Sequence, residues 1–309
     1  MWNSVIDSLL PVVLLILLGA ALRRYGFMPD LFFHGLNKMA FWIGLPATLY
    51  LDIAGAQSQG GSALRVSGVI LIASAFAGLV AWGTAAGMRL PSASLRSFIQ
   101  GAFRGNLAYV GIPVVYYALR DNPEARSVAV LAMAPTVPVF NVAAVLVLTP
   151  PGEGDRLRSA GRSLLAICRN PLIISCVLGL VAQNRGFVLP LSLNTTLKTI
   201  GGIGLPAALI ALGASLSLKR VRGRWPATMA AAIIKVALSP LVGYAAGRAM
   251  GLSEINLLVA VLYAAMPTAV ASYVMADQME ADGDLAAAII VAGTMMAFPV
   301  LAVILRLAA

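Results

Sequence analysis

The chain has 309 residues, of which 60% are hydrophobic and 11% charged, with a formal net charge of +10. Soluble domains run near 45–50% apolar and about 25% charged, which excludes soluble, disordered, collagen-like and disulfide-scaffold readings and places the chain in a bilayer. The basic excess points to loops facing an anionic cytoplasmic leaflet, not to a nucleic-acid partner.

Met1-Trp2-Asn3-Ser4 carries no basic leader, and Arg23 and Arg24 follow the first apolar run instead of preceding it. That order predicts a first spanning helix, not a signal peptide. A span needs about 20 mostly apolar residues. Ten transmembrane helices are expected, spans 1 to 10, at 4–22, 31–53, 64–87, 94–117, 126–148, 164–183, 190–214, 225–248, 254–276 and 284–306. The breaks have turn chemistry, as in Gly26-Phe27-Met28-Pro29-Asp30. Pro150 to Asp155 is the one substantial hydrophilic loop, at mid-chain.

Twelve bases sit in the loops on one side: Arg23, Arg24, Arg89, Arg96, Arg156, Arg158, Arg162, Arg169, Lys219, Arg220, Arg222 and Arg224. Six sit on the other: Arg65, Arg120, Arg126, Arg185, Arg248 and Arg306. The richer side is expected to be cytoplasmic, with both termini on the outer side. The loop between spans 9 and 10 fits poorly, since Asp277, Glu280, Asp282 and Asp284 carry no accompanying base, but acids weigh little in this rule.

Cys168 and Cys176 share one apolar run and read as small buried side chains. A single histidine, His34, builds neither a metal site nor a triad, so no cofactor, metal or catalytic group is expected. An intramembrane enzyme would need paired aspartates, a Ser–His dyad or a zinc motif within the spans.

Sliding the chain by 160 residues exposes an internal repeat. Pro11 meets Pro171, Leu18-Gly19 meets Leu178-Gly179, Gly26-Phe27 meets Gly186-Phe187, Lys38 meets Lys198, and Ile43 to Ala47 meets Ile203 to Ala207. Tyr109 and Pro113 meet Tyr263 and Pro267 at an offset of 154, and Pro138 meets Pro299 at 161. The halves are 1–155 (spans 1–5) and 156–309 (spans 6–10). Because five is odd, the second enters the membrane from the opposite side, the inverted repeat of secondary transporters.

Proline within a span frees backbone groups that lipid cannot satisfy, so matched prolines point to a binding site. Pro46 pairs with Pro206, and Pro113 with Pro267. In span 4, Gly111 and Pro113 favour unwinding, so that a half-helix starts after Pro113. Span 9 does the same at Met266-Pro267-Thr268. Two half-helix N-termini facing one point would hold an anion. Asn106 either donates to a carboxylate or bonds a neighbouring helix. Arg104 and Lys235 either draw anions inward or snorkel to the interface, and snorkelling is the favoured expectation. Lys38 and Lys198 lie nearer the span ends and snorkel more readily still. Thr48 and Asn141 could line a cavity, with ordinary interhelical bonding as the default. No acid falls near the matched prolines, Asp52 being the deepest, which disfavours carboxylate-based cation coupling.

Leu18-Gly19, Gly44-Leu45-Pro46, the N-x4-G-I-P of Asn106 to Pro113, and Met266-Pro267-Thr268 followed by Tyr273-Val274-Met275-Ala276 together resemble the auxin efflux carrier family over essentially the whole length. The resemblance implies an all-α membrane protein, a five-plus-five fold like that of bile acid and sodium/proton transporters with broken helices 4 and 9 crossed. It implies a scaffold and homodimer interface from spans 1, 2, 6 and 7, and an elevator-type transport domain from spans 3–5 and 8–10. The substrate would be a small organic anion, auxin-like or malonate-like, probed by Asn106, Tyr109, Gly111, Ile112, Pro113, Met266, Pro267, Thr268, Thr48 and Asn141, with Asn106 on the carboxylate. Two departures stand out: the central loop is short, and Ala271-Ser272 stands where some relatives have asparagine. The expected activity is carboxylate efflux, with a sodium-coupled carboxylate symporter as the alternative.

Overall fold

The computed structural model describes residues 2–55, 60–150, 171–215 and 224–308. The hydrophilic segment 151–155, Cys168 and the bases Arg156, Arg158, Arg162, Arg169, Lys219, Arg220 and Arg222 lie outside the described residues, as do the side chains of Asp52 and Cys176. What is described is almost entirely helical, and the protein is an all-α membrane protein.

Helices α1 (Trp2–Arg24), α2 (Asp30–Met39) and α3 (Leu45–Ala54) come first, then α4 (Gly60–Gly87) and α5 (Ser92–Phe103). They are followed by α6 (Ile112–Ala118), α7 (Pro123–Leu148), α8 (Pro171–Arg185) and α9 (Leu191–Ser215). The C-terminal part holds α10 (Trp225–Ile233), α11 (Ser239–Ala249), α12 (Glu254–Ala264), α13 (Ala271–Gln278) and α14 (Gly283–Ala308). Among the described residues, 61–87, 123–148, 191–214, 225–249 and 283–308 are each long and apolar enough to cross a membrane.

Three π-turns among the described residues share one cause. Ala40–Gly44 precedes Leu45-Pro46, Leu107–Gly111 precedes Ile112-Pro113, and Ile234–Leu238 precedes Ser239-Pro240. A proline ring collides with the carbonyl four residues back and offers no N–H to it. The turn just before each proline is widened, its bonds running to the N–H five residues on instead of four. Leu45 N–H thus reaches the Ala40 carbonyl, and Ser239 N–H the Ile234 carbonyl. The proline then falls in the first turn of the next helix, where its missing donor is not needed.

The chain divides into two compact units, the first of Met1–Leu64, Ala108–Ala134 and Ala166–Leu216, the second of Arg65–Leu107, Pro135–Leu165 and Ser217–Ala309.

In the first unit α1 packs on α9, and α3 on α8 and α9. Glycines set how closely these backbones approach, as small residues do in lipid, where no hydrophobic effect drives helices together. A Cβ on Gly204 would stand 2.7 Å from the Leu45 nitrogen, and one on Gly179 would stand 2.9 Å from Ile53 Cβ. Gly19 lies under the Ile210 carbonyl and Gly213 under the Ile16 carbonyl. α1 and α8 also end alike. Gly26 (φ +67) and Gly186 (φ +61) take the left-handed conformation, and the next residue's N–H closes back on the helix, Phe27 to the Leu22 carbonyl and Phe187 to the Ala182 carbonyl.

In the second unit α5 packs on α10 and α14 around Phe98, Ala102, Ala231 and Ile289. A polar clasp closes one end. Arg96, on α5, donates to the carbonyls of Leu148, Met279 (3.2 Å) and Glu280 (2.8 Å), so one guanidinium satisfies the C-terminal ends of α7 and α13. Asp282 caps α14 through the Leu285 N–H at 3.0 Å, accepts from Ser94 at 2.6 Å, and pairs with Arg224. The acidic loop that fitted the charge rule poorly therefore finds its base on the segment before α10. Burial alone would raise the Asp282 carboxyl, but the hydrogen bonds from Ser94, Leu285 and Arg224, with the Arg224 charge, hold it below its ordinary value.

Gly204→Ala forces a methyl against backbone that cannot yield, and overpacking of this kind costs about 1–3 kcal/mol or more. Its melting temperature in detergent is expected to fall, while Gly202→Ala, with open space at its Cβ, leaves it unchanged. The Asp282 clasp acts in full above about pH 4 and fades as pH falls through the lower folded value. Asp282→Asn is expected to melt earlier than the unaltered protein at neutral pH, the two curves converging in acid.

Candidate functional site

The peptide path leaves helix at two points in the second unit and pairs there. α5 stops at Phe103, and Arg104 (φ −86, ψ 100) is extended. α12 stops at Ala264, and helix resumes at Ala271. Gly105 and Thr268 face each other as an antiparallel pair. Asn106 N–H donates to the Pro267 carbonyl at 2.8 Å, and Ala269 N–H to the Arg104 carbonyl at 3.0 Å. The Thr268 hydroxyl donates to the Gly101 carbonyl, at the end of α5, at 2.6 Å. Peptide groups that helix no longer serves are thus served by the opposite break, as irregular backbone at membrane depth must find partners within the protein or in water.

The break in span 9 falls where Pro267 was expected to put it. The break in span 4 does not. Helix is interrupted at Arg104-Gly105-Asn106, ahead of the π-turn Leu107–Gly111, and Pro113 continues α6 without interruption. The wide turn absorbs Pro113, whereas Gly105 fits the close approach at the crossing. A Cβ there would stand 3.3 Å from Lys235 Cε and 3.5 Å from its Nζ. The break in span 4 thus lies at Gly105, which faces Thr268 across the crossing, and not at Pro113.

Asn106 (3% exposed), Met266, Pro267 and Thr268 come together and are buried. Asn141 joins them through Arg104: it accepts a hydrogen bond from one terminal nitrogen of the guanidinium, whose other nitrogen faces the Met275 sulfur. Tyr109, Gly111, Ile112, Pro113 and Thr48 belong to the first unit. There Tyr109 stacks on Phe41 with ring centroids 6.0 Å apart. The Thr48 hydroxyl is taken by the carbonyls of Gly44 (3.2 Å) and Gly201 (3.1 Å), the ordinary interhelical role.

Two cations overturn the snorkelling expectation. A snorkelling head group stays in water, but Arg104 is 7% exposed and Lys235 1%. Lys235 Nζ donates at 2.5 Å to the carbonyl of Ala264, one of those that the break in span 9 frees. Among the described residues neither has a carboxylate partner. The sequence signal for both was a base deep in an apolar span, which by default marks function. Gly105, between Arg104 and Asn106, is a weaker helix-breaking signal than Pro113, since glycine keeps the N–H that proline lacks.

Thr268→Val removes the bond to the Gly101 carbonyl and leaves a buried acceptor unsatisfied, a loss of about 1–3 kcal/mol. Its melting temperature in detergent is expected to fall, with Thr268→Ser restoring it.

A family model described as membrane transport protein matches residues 4–305. An uncharacterized transporter of Methanothermobacter thermautotrophicus is 24% identical over 94% of both chains. An uncharacterized transporter of Methanocaldococcus jannaschii is 23% identical, covering 89% of this chain and 90% of the relative.

Proposed function

The chain belongs to the membrane transport protein family, that of the auxin efflux carriers its motifs resemble, and from that premise we propose that this transporter moves a small organic anion, a carboxylate, across the membrane as a secondary carrier. It is a multi-pass membrane transporter, not an enzyme.

The observation that carries the anion reading is the crossing in the second unit, where buried Arg104 and Lys235 meet two helix interruptions with no carboxylate partner among the described residues. Asn106 offers an amide, and Met266, Pro267 and Thr268 shape the opposite wall. The backbone donors that open the helix at Ala271 add partial positive charge. Carriers driven by sodium or protons hold their cation at the C-terminal ends of broken helices. Lys235 already serves the carbonyl of Ala264 at such an end, which supports movement of the anion under the membrane potential alone.

In this reading the second unit, rich in spans 3–5 and 8–10, carries the substrate by an elevator motion, and the glycine-packed first unit is the scaffold and the dimer interface. The paired glycine caps of α1 and α8 and the mirrored packing of α1 on α9 and α8 on α3 support a five-plus-five inverted repeat of ten spans. The excess of base in alternate loops supports termini on the outer side of a bacterial inner membrane.

The test is flux of radiolabelled mono- and dicarboxylates in proteoliposomes, with and without a voltage or sodium gradient. Voltage-dependent, sodium-independent carboxylate flux is the expected result, and sodium-dependent uptake would instead make the protein a symporter. Asn106→Ala is expected to lower flux by about 100-fold, as loss of a hydrogen bond to a charged group at a dry site does, while purifying with an unchanged melting curve.

A further inference from the structure

We propose that Arg104 is the residue that receives the substrate's carboxylate, and that Asn141 positions it for that task. The inference rests on the anion-carrier reading above and assigns its specificity to one side chain.

A guanidinium does not deprotonate in a protein, so burial cannot be relieved by losing the charge. Arg104 is 7% exposed, and its side-chain partners among the described residues are the neutral Asn141 Oδ1 and Met275 sulfur. It caps the C-terminal end of α5, whose dipole offers a cation about 0.3–1 kcal/mol, and about 2 kcal/mol at most. Desolvating an ion costs several kcal/mol. The deficit is too large for dipole and neutral contacts to cover, and nothing else anionic among the described residues approaches it. Lys235, the other buried base at the crossing, adds to the positive field instead of relieving it.

The remaining geometry suits a carboxylate. Two of the five N–H donors are turned to Asn141 and Met275, leaving three for a bound group. The planar fork matches the two oxygens of a carboxylate bidentately. The backbone of Arg104 is fixed as well, since its carbonyl accepts from Ala269 N–H across the crossing. Its side chain is held by α7 through Asn141 and by α13 through Met275. A charge pinned at both ends is pre-organised for a ligand, so little ordering remains to be done on binding.

Proteoliposomes holding the full chain, given two-carbon to six-carbon mono- and dicarboxylates and their uncharged amides, test this. Carboxylate flux by the unaltered protein supports the carrier reading, and flux of the amides alone overturns that reading and this one with it. Given carboxylate flux, Arg104→Gln is expected to raise the carboxylate KM by about 100-fold, since truncating one partner of a buried charge pair has effects of that size. Arg104→Lys keeps the charge without the fork and is expected to raise KM by about 10-fold with little change in kcat. Asn141→Ala shifts KM in the same direction, and added guanidinium ion restores flux to Arg104→Ala, which a purely structural arginine would not permit. A carboxylate KM within about threefold of the unaltered protein in Arg104→Gln, or in Arg104→Lys if the glutamine variant does not fold, overturns the proposal and leaves the carrier reading standing.

Discussion

Two backbone hydrogen bonds, Asn106 to Pro267 and Ala269 to Arg104, hold the crossing to which we assign the substrate. An interrupted helix at membrane depth leaves donors and acceptors that lipid cannot serve, each costing several kcal/mol. Here each interruption is the other's partner, and neither is stable alone. The Thr268 hydroxyl and the Lys235 amino group take carbonyls of Gly101 and Ala264. What remains at the crossing is an excess of donors and positive charge, which is what an anion requires.

The two units solve different problems with different residues. In the first, glycines let helix backbones touch. In the second, close packing around Phe98 and Ile289 coexists with buried polar groups, and the Arg96 and Asp282 clasp ties the ends of α5, α7, α13 and α14 together. A body that holds a charged ligand needs such a rigid frame, because a binding group displaced by an ångström loses much of its interaction with that ligand.

Most helices were legible in the sequence because lipid makes the signal simple: long apolar runs, broken by Gly-Phe and Pro-Asp turns. The caps at Gly26 and Gly186 were visible as matched dipeptides. The break in span 9 was legible from Pro267. The break in span 4 was not, because proline is read as a breaker by its missing donor, while a wide turn ahead of Pro113 removes the collision that would have made it one. Gly105 carried the weaker signal and the decisive geometry. Arg104 and Lys235 were visible as charges, but whether such a side chain reaches water or folds inward depends on partners far along the chain, Asn141 and Ala264, that no local pattern reveals.

The three wide turns have a dynamic corollary. Each contains one residue more than a regular α-helix would use over the same rise. Moving that surplus one place along exchanges one five-residue bond for another and exposes no new peptide group to lipid. The residue passed over rotates by about 100° about the helix axis, and the segments on either side keep their place. The proline that follows limits this travel in one direction only. A change in which side chain each wide turn presents, ahead of α3, α6 and α11, is therefore a low-cost rearrangement in a bilayer, where bending or unwinding these helices would be expensive.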